Sequence, residues 1–395
     1  MKLLSYHENG IYIVWGVDEK QELRLLHMSS LPFQKEDIKV ESMDYGFRFV
    51  ELQLSGFDRP YERHGNKYIV TAPGYRMKYV SHSESRNENG LQLLFVLRDD
   101  LTDVYVDAYV QFYDGLPVMR MWQVIRNEGT DTQTVEYISG FHYEGIEKEG
   151  LVPRDEKMRV WIPHNSWQRE LNWKCYTLPE LGMDQVQPER IQRSSGMIRV
   201  SNTGNWSAKE YLPMGYLENI CVGTGLFWQI EHNGSWHWEI GDQNGHLYLA
   251  VSGPNEIYSH WFKHLAPGEA FMSVPVAVGV TGAPQGTCGG LNQAMDALTA
   301  YRRQIRRKNE DNQKLPVIFN DYMNCLWGHP TEEEEYPLID AAAKAGCEYF
   351  CIDAGWYADG DWWDSVGEWK ESRKRFPGGV RKVTDYIRRK GMIPG

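Results

Sequence analysis

Two segments of this chain carry the residue types that grip a sugar. Asn320, Asp321, Tyr322 and Asn324 follow one short apolar run. Asp353, Trp356 and Tyr357 follow a second, and Asp359, Asp361, Trp362, Trp363, Asp364, Glu368 and Trp369 come soon after. Carboxylates accept hydroxyl protons in charge-assisted hydrogen bonds, and aromatic faces cover the C–H side of a pyranose ring. The residues expected to contact substrate are Asp353, Trp356, Asp321, Tyr357, Trp363 and Glu368. Cleaving a glycosidic bond needs two carboxylates placed across it. Sequence spacing does not establish such a pair here, so no catalytic residue is assigned. Blander readings stand beside these: Asp353 as a strand-end cap, and Asp359, Asp361 and Asp364 as solvated loop acids. Arg373, Lys374 and Arg375 read as surface charges, His329 as a surface-loop residue, and Cys351 as core.

The elements that must hold these residues alternate between strand and helix. Val317-Ile318-Phe319 suits a parallel strand buried on both sides, and Tyr349 to Ile352 make a second strand. Between them Thr331 caps a helix whose first turn carries Glu332 to Glu335, with Pro337 near its start and Gly346 at its stop. Gly378-Gly379 leads into another helix through Val383, Tyr386 and Ile387, ended by Gly391. Met392-Ile393-Pro394-Gly395 then opens a third strand. In a parallel (β/α)8 barrel, chemistry sits at the C-terminal ends of the strands, where both segments fall. Such a barrel takes roughly 250 residues, and only about a third of that follows Pro316. The expectation is an unpaired sheet edge and an uncovered apolar face, poor packing of 316–395 alone, and no hydrolase activity from this chain by itself.

Residues 1 to 285 read as β throughout. Residues 92–98, 104–113 and 117–129 are strand-like and separated by turn-prone Asp99-Asp100 and Asp114-Gly115. Asn233-Gly234 between residues 225–232 and 235–240 predicts a hairpin. Short strands with frequent turns argue for a large β-sandwich of two stacked sheets. Residues 291–305 have helical spacing, and 286–315 read as a linker containing that helix. The fold class is therefore an N-terminal all-β supersandwich (1–285), a linker (286–315) and the first part of a TIM-type (β/α)8 barrel (316–395).

The formal net charge of −12 disfavours nucleic acid as a partner. No apolar stretch approaches the roughly 18 residues of a membrane span, and Met1 to Glu8 lack a signal-peptide pattern. The default is a cytoplasmic protein with reduced thiols. The six cysteines form no C-x-x-C pair, so zinc is not expected, nor any other cofactor. The 15 Trp and 23 Tyr serve as core residues of a β-rich protein or as sugar platforms.

Three motifs in order resemble glycoside hydrolase family 36, the α-galactosidase (melibiase) family. They are Asp353-Ala354-Gly355-Trp356-Tyr357, Ser365-Val366-Gly367-Glu368-Trp369 and Phe376-Pro377-Gly378-Gly379. Asp114-Gly115-Leu116-Pro117-Val118-Met119-Arg120 and Arg126-Asn127-Glu128-Gly129 are similar to the family's N-terminal sandwich. The resemblance implies retaining hydrolysis of terminal α-galactosides, an oligosaccharide or glycoside substrate, a homo-oligomer built on the sandwich, and Asp353 binding a galactose hydroxyl. The family's nucleophile, in a Lys-x-Asp motif, and its acid/base aspartate are expected beyond residue 395, as is a sugar-stacking Trp. The chain departs from the family pattern at Ala354, where the family has a second aspartate, and at Asn320-Asp321-Tyr322. Related sugars (6-deoxy, pentose or N-acetylated) therefore stand beside galactose, with Asp321 in place of the lost carboxylate. A non-catalytic carbohydrate-binding protein and a transglycosylase of the same family are the alternative readings.

Overall fold

The computed structural model describes residues 1–34, 48–57, 68–184, 196–243, 245–282 and 290–395. They form two compact units, Met1–Ile305 and Arg306–Gly395. The expected 285/286 boundary and Cys288 lie outside the described residues.

The first unit is built from antiparallel sheets. In strand Gly90–Asp99, Leu91, Leu93, Phe95 and Leu97 are buried while Gln92, Leu94, Val96 and Arg98 are partly exposed, the period of two that a half-covered strand requires. Val104–Tyr113 repeats this alternation and pairs with Gly90–Asp99 on one side and Leu116–Asn127 on the other. These belong to a ten-stranded sheet. Its order runs Asn172–Thr177, Met158–His164, Met214–Asn219, Thr224–Ile230, Val276–Gly282, Leu116–Asn127, Val104–Tyr113, Gly90–Asp99 and Lys78–Asn87, with Ala270–Met272 also on Leu116–Asn127. A four-stranded sheet contains Phe141–Glu144, His246–Ser252, Trp236–Gln243 and Met197–Asn202. Two three-stranded sheets complete the set. One apolar cluster draws side chains from all four sheets.

The hairpin expected at Asn233-Gly234 does not form. Thr224–Ile230 pairs with Met214–Asn219 and Val276–Gly282, whereas Trp236–Gln243 pairs with Met197–Asn202 and His246–Ser252. The chain crosses between sheets at this point. Trp228 and Trp238, both fully buried, meet edge to face at 5.1 Å across the two sheets. Burying both rings in the interlayer core outweighs a local turn preference.

The helix Gly290–Ile305, expected within a linker, packs on this β unit. Ala294, Leu298 and Tyr301 are buried against Tyr113, Val118, Tyr216 and Phe227. The Tyr301 hydroxyl donates to Glu231, which also pairs with Arg120 at 2.6 Å.

In the second unit three strands, Ile318–Asn320, Tyr349–Cys351 and Ile393–Pro394, run parallel with Phe319 opposite Phe350 and Phe350 opposite Pro394. Thr331 caps helix Glu332–Ala345 by accepting from the Glu334 N–H, and Gly346 ends it at φ +88°. Helix Val380–Arg389 follows the second strand. Ile339, Ala342, Phe350, Ile352, Phe376, Val383, Ile387 and Met392 form the core between strands and helices. The first strand is not buried on both sides as expected. Phe319 stacks on Phe350 at 5.1 Å toward the helices, while Ile318 is 60% and Ile393 53% exposed on the opposite face. Both helices lie on one face of this sheet, so the alternate residues have nothing to pack on within the unit. Among the described residues no helix is long and apolar enough to cross a membrane.

Candidate functional site

The C-terminal ends of the first two parallel strands bring Asn320 and Asp353 together. The Asn320 side-chain oxygen accepts the Tyr322 N–H at 2.8 Å, which turns its amide nitrogen to Asp353 Oδ2 at 2.7 Å. The Asp353 backbone N–H donates to Asp321 Oδ1 at 2.8 Å, and the Asp321 N–H donates to the Cys351 carbonyl at 3.1 Å. Asp353 is exposed. One of its carboxylate oxygens is held by Asn320, and the other has no protein partner among the described residues, so it is open to a hydroxyl donor.

Asp321 does not offer a carboxylate to solvent. It is 1% exposed, and its side chain lies beside that of Glu335, which is fully buried on helix Glu332–Ala345. Its expected contact with substrate is therefore corrected: its Oδ1 is committed to the Asp353 backbone and its Oδ2 is shut inside. Burial pushes the Asp321 carboxyl above its usual range, against the opposing pull of its hydrogen bonds. Burial, then the hydrogen bond and charge of Asp321, push Glu335 up to about 9. Glu335 was not singled out from sequence. The signal was present, since Glu335, Ile339 and Ala342 share the buried stripe of one helix, and an acid in an apolar stripe is the informative anomaly.

The loop after the second strand gathers the aromatic candidates. Trp356 packs partly against the core. Tyr357 meets the Trp356 ring at 5.3 Å and the Trp369 ring at 4.8 Å, both edge to face. Trp363 and Trp369 are 68% and 60% exposed. An open groove of about 630 Å³ is lined by Tyr357, Asp359, Asp364, Glu368, Lys370 and Arg373. Tyr357 and Glu368 thus share one groove, and Asp353 is not among its lining residues. Asp359 is occupied in loop structure, accepting from the Ser372 hydroxyl. Glu368 pairs with Lys370 at the surface. Burial raises the Cys351 thiol, which disfavours a nucleophile. Its expected place in the core is corrected: Cys351 is half-buried opposite Asn320, because strand alternation turns Phe350 and not Cys351 toward the helices.

Arg375, read from sequence as a surface charge, is a clamp. It donates to the carbonyls of Ala358, Gly360 and Gly328 and contacts the His329 ring. Three carbonyls converging on one planar donor fork suit Arg and not Lys. The close approach is visible at Gly355 too. Its φ is +87°, and a Cβ there would sit 1.9 Å from the Gly328 carbonyl oxygen. Glu332 joins the third motif to the first helix. It accepts the Gly378 N–H at 2.8 Å and the Tyr336 hydroxyl at 3.0 Å, and pairs with Lys382. The Lys382 contact, then the Gly378 bond, holds its carboxyl below the usual range. Among the described residues no group of three or more His, Cys, Asp or Glu is placed to hold a metal ion.

Residues 273–395 match the Melibiase family model. The chain is 22% identical over 324 residues to alpha-galactosidase Mel36A of Lactobacillus acidophilus, covering 80% of this chain and 40% of that protein. It is 22% identical over 311 residues to alpha-galactosidase 1 of Pediococcus pentosaceus, covering 76% and 37% respectively. The crystal structure of the family 36 alpha-galactosidase AgaA from Geobacillus stearothermophilus superimposes with a TM-score of 0.75 at 15% identity, covering 100% of this chain and 56% of that one. A variant of AgaA in complex with raffinose gives 0.73 at 16% identity, with the same coverage. The fold is shared with these structures. The chain spans about 40% of the length of the curated relatives it matches and 56% of the AgaA chain.

Proposed function

We propose, from the premise that this chain belongs to the melibiase family, glycoside hydrolase family 36, that it is the N-terminal portion of a retaining α-galactosidase-like enzyme acting on terminal α-galactosides or related sugars. The observation that carries this reading is the pair at the strand ends. Asp353 is exposed, fixed by Asn320 and by its own backbone, and has one carboxylate oxygen open. In this reading Arg306–Gly395 begins a (β/α)8 barrel. The helices cover the outside of the sheet, and the open face bearing Ile318, Asn320 and Ile393 faces the barrel interior. The division into a β-sandwich and a barrel start follows, with helix Gly290–Ile305 going with the sandwich. Asp353 accepts a sugar hydroxyl, and Trp356, Tyr357, Trp363 and Glu368 belong to the loop that borders the sugar. The family's aspartate nucleophile and acid/base are expected outside residues 1–395. A cytoplasmic location and a homo-oligomer complete the reading.

Raffinose, the sugar named with AgaA, is the first ligand to test. Calorimetric titration of the wild-type chain and of Asp353→Ala with raffinose and galactose, beside a 6-deoxy, a pentose and an N-acetylated sugar, tests the site. The expected result is binding that is lost in the variant. Equal binding by both proteins refutes the role of Asp353. A preference for one of the other sugars reassigns the substrate.

A further inference from the structure

We propose that Glu335 and Asp321 share a single proton and act together as positioning residues for Asp353, with the Glu335 O–H donating to Asp321 Oδ2. The importance of Asp353 rests on the reading above; the shared proton does not.

The argument is one of unsatisfied oxygens. Asp321 Oδ1 has a donor, the Asp353 N–H at 2.8 Å. Asp321 Oδ2 and both Glu335 carboxylate oxygens are buried and, among the described residues, have no donor if both groups are ionised. The two residues are 1% and 0% exposed. Their side chains nevertheless face each other at hydrogen-bond range. Two adjacent buried carboxylates without donors are strongly unfavourable, since each buried charge lacks both water and a counter-charge. Among the described residues, the other titratable groups around the pair do not supply one. Glu334 comes from the helix, Cys325 from the segment after the first strand, Cys351 from the end of the second strand and Asp353 from the loop that follows it. All are acids or thiols. One proton converts the contact into an O–H···O⁻ bond, which is the strong kind. The helix N-terminus near Glu335 favours negative charge there, but by less than burial of an unpaired carboxylate costs.

The consequence reaches the site through the backbone. With Glu335 carrying the proton, Asp321 stays anionic and accepts the Asp353 N–H in a charge-assisted bond. That bond and the Asn320 contact fix Asp353 at both its backbone and its carboxylate. An acid in the apolar stripe of the helix is thereby tied to Asp353, which follows the second strand and presents an open carboxylate oxygen.

Two readouts on the intact chain test this without relying on sugar chemistry. Infrared difference spectra at neutral pH, wild type minus Glu335→Gln, should show a protonated carboxyl band, with the contribution of the raised Glu51 common to both proteins. Hydrogen exchange of the Asp353 amide should be unchanged in Glu335→Gln, whose amide N–H replaces the donor, and about tenfold faster in Glu335→Ala, as expected when one hydrogen bond is weakened. If Glu335→Ala does not fold, Glu335→Met fills the space without a donor and reads the same amide. A wild-type band unaffected by Glu335→Gln, or no band at all, overturns the shared proton. Wild-type protection of the Asp353 amide in the donor-less variant overturns the positioning role. Sugar binding unaffected by Asp353→Ala counts against the site reading only and leaves both of these results standing.

Discussion

Glu335→Gln should flatten the pH dependence of the second unit's stability. Glu335 is pushed from its ordinary 4.5 up to about 9, chiefly by burial and then by Asp321. Between these values the folded chain holds a proton that the unfolded chain has released. The unfolded state binds fewer protons, so stability falls as pH rises. The contribution is fully present below pH 4.5 and is lost as pH rises toward 9. One proton corresponds to about 1.36 kcal/mol per pH unit, hence a loss of roughly 2–3 kcal/mol between pH 6 and 8. Glutamine has no proton to lose and still donates to Asp321. Other groups titrate in the same direction: Glu51, in the β unit, is pushed up to about 7 by burial. The quantity to measure is therefore the difference between wild type and variant. Urea unfolding of the second unit can be followed by labelling of Cys347, which packs against its core, at matched pH for both proteins. Wild type should lose stability relative to Glu335→Gln across this range. Parallel profiles would refute the reasoning, because they would mean that Glu335 is ionised in the folded chain.

Three further outcomes follow from the second unit's geometry. Gly355→Ala meets both a left-handed φ and the Gly328 carbonyl at 1.9 Å, so it should cost about 2–3 kcal/mol or more and lower the melting temperature. Phe350→Ala removes a ring that is fully buried on the central strand and stacked on Phe319. Denaturant titration should show a loss of about 3–5 kcal/mol. Arg375→Lys should fail to hold the carbonyls of Gly328, Ala358 and Gly360 together, and limited proteolysis should cut residues 358–374 faster than in wild type.

Much of the architecture was legible because its signals are local. The alternation in 92–98 and 104–113 marks strands whose one face is buried. Thr331 and Gly346 mark a helix by capping groups within one turn of its ends. The order of the three motifs around Asp353, Glu368 and Phe376 pointed to a family whose fold this chain shares. Partner choice was not legible in the same way. Asn233-Gly234 has hairpin chemistry, yet its flanking strands join different sheets, because Trp228 and Trp238 pack across the layers. Val317-Ile318-Phe319 has the composition of a doubly buried strand, but burial depends on what lies over each face, and only one face is covered within the unit.

The site divides along the same line. That Asp353 follows a strand, and that aromatics and acids come after it in a loop, could be read from the sequence, since both depend on residues close together in the chain. Tertiary structure alone decided that Asp321 turns inward to Glu335, that Arg375 clamps carbonyls up to 47 residues away, and that Asp353 is the carboxylate left open. The physical reason is that the state of a charge follows from its solvent and its partners. Burial and pairing across the chain set both, and neither is a property of the residue or of its neighbours in sequence.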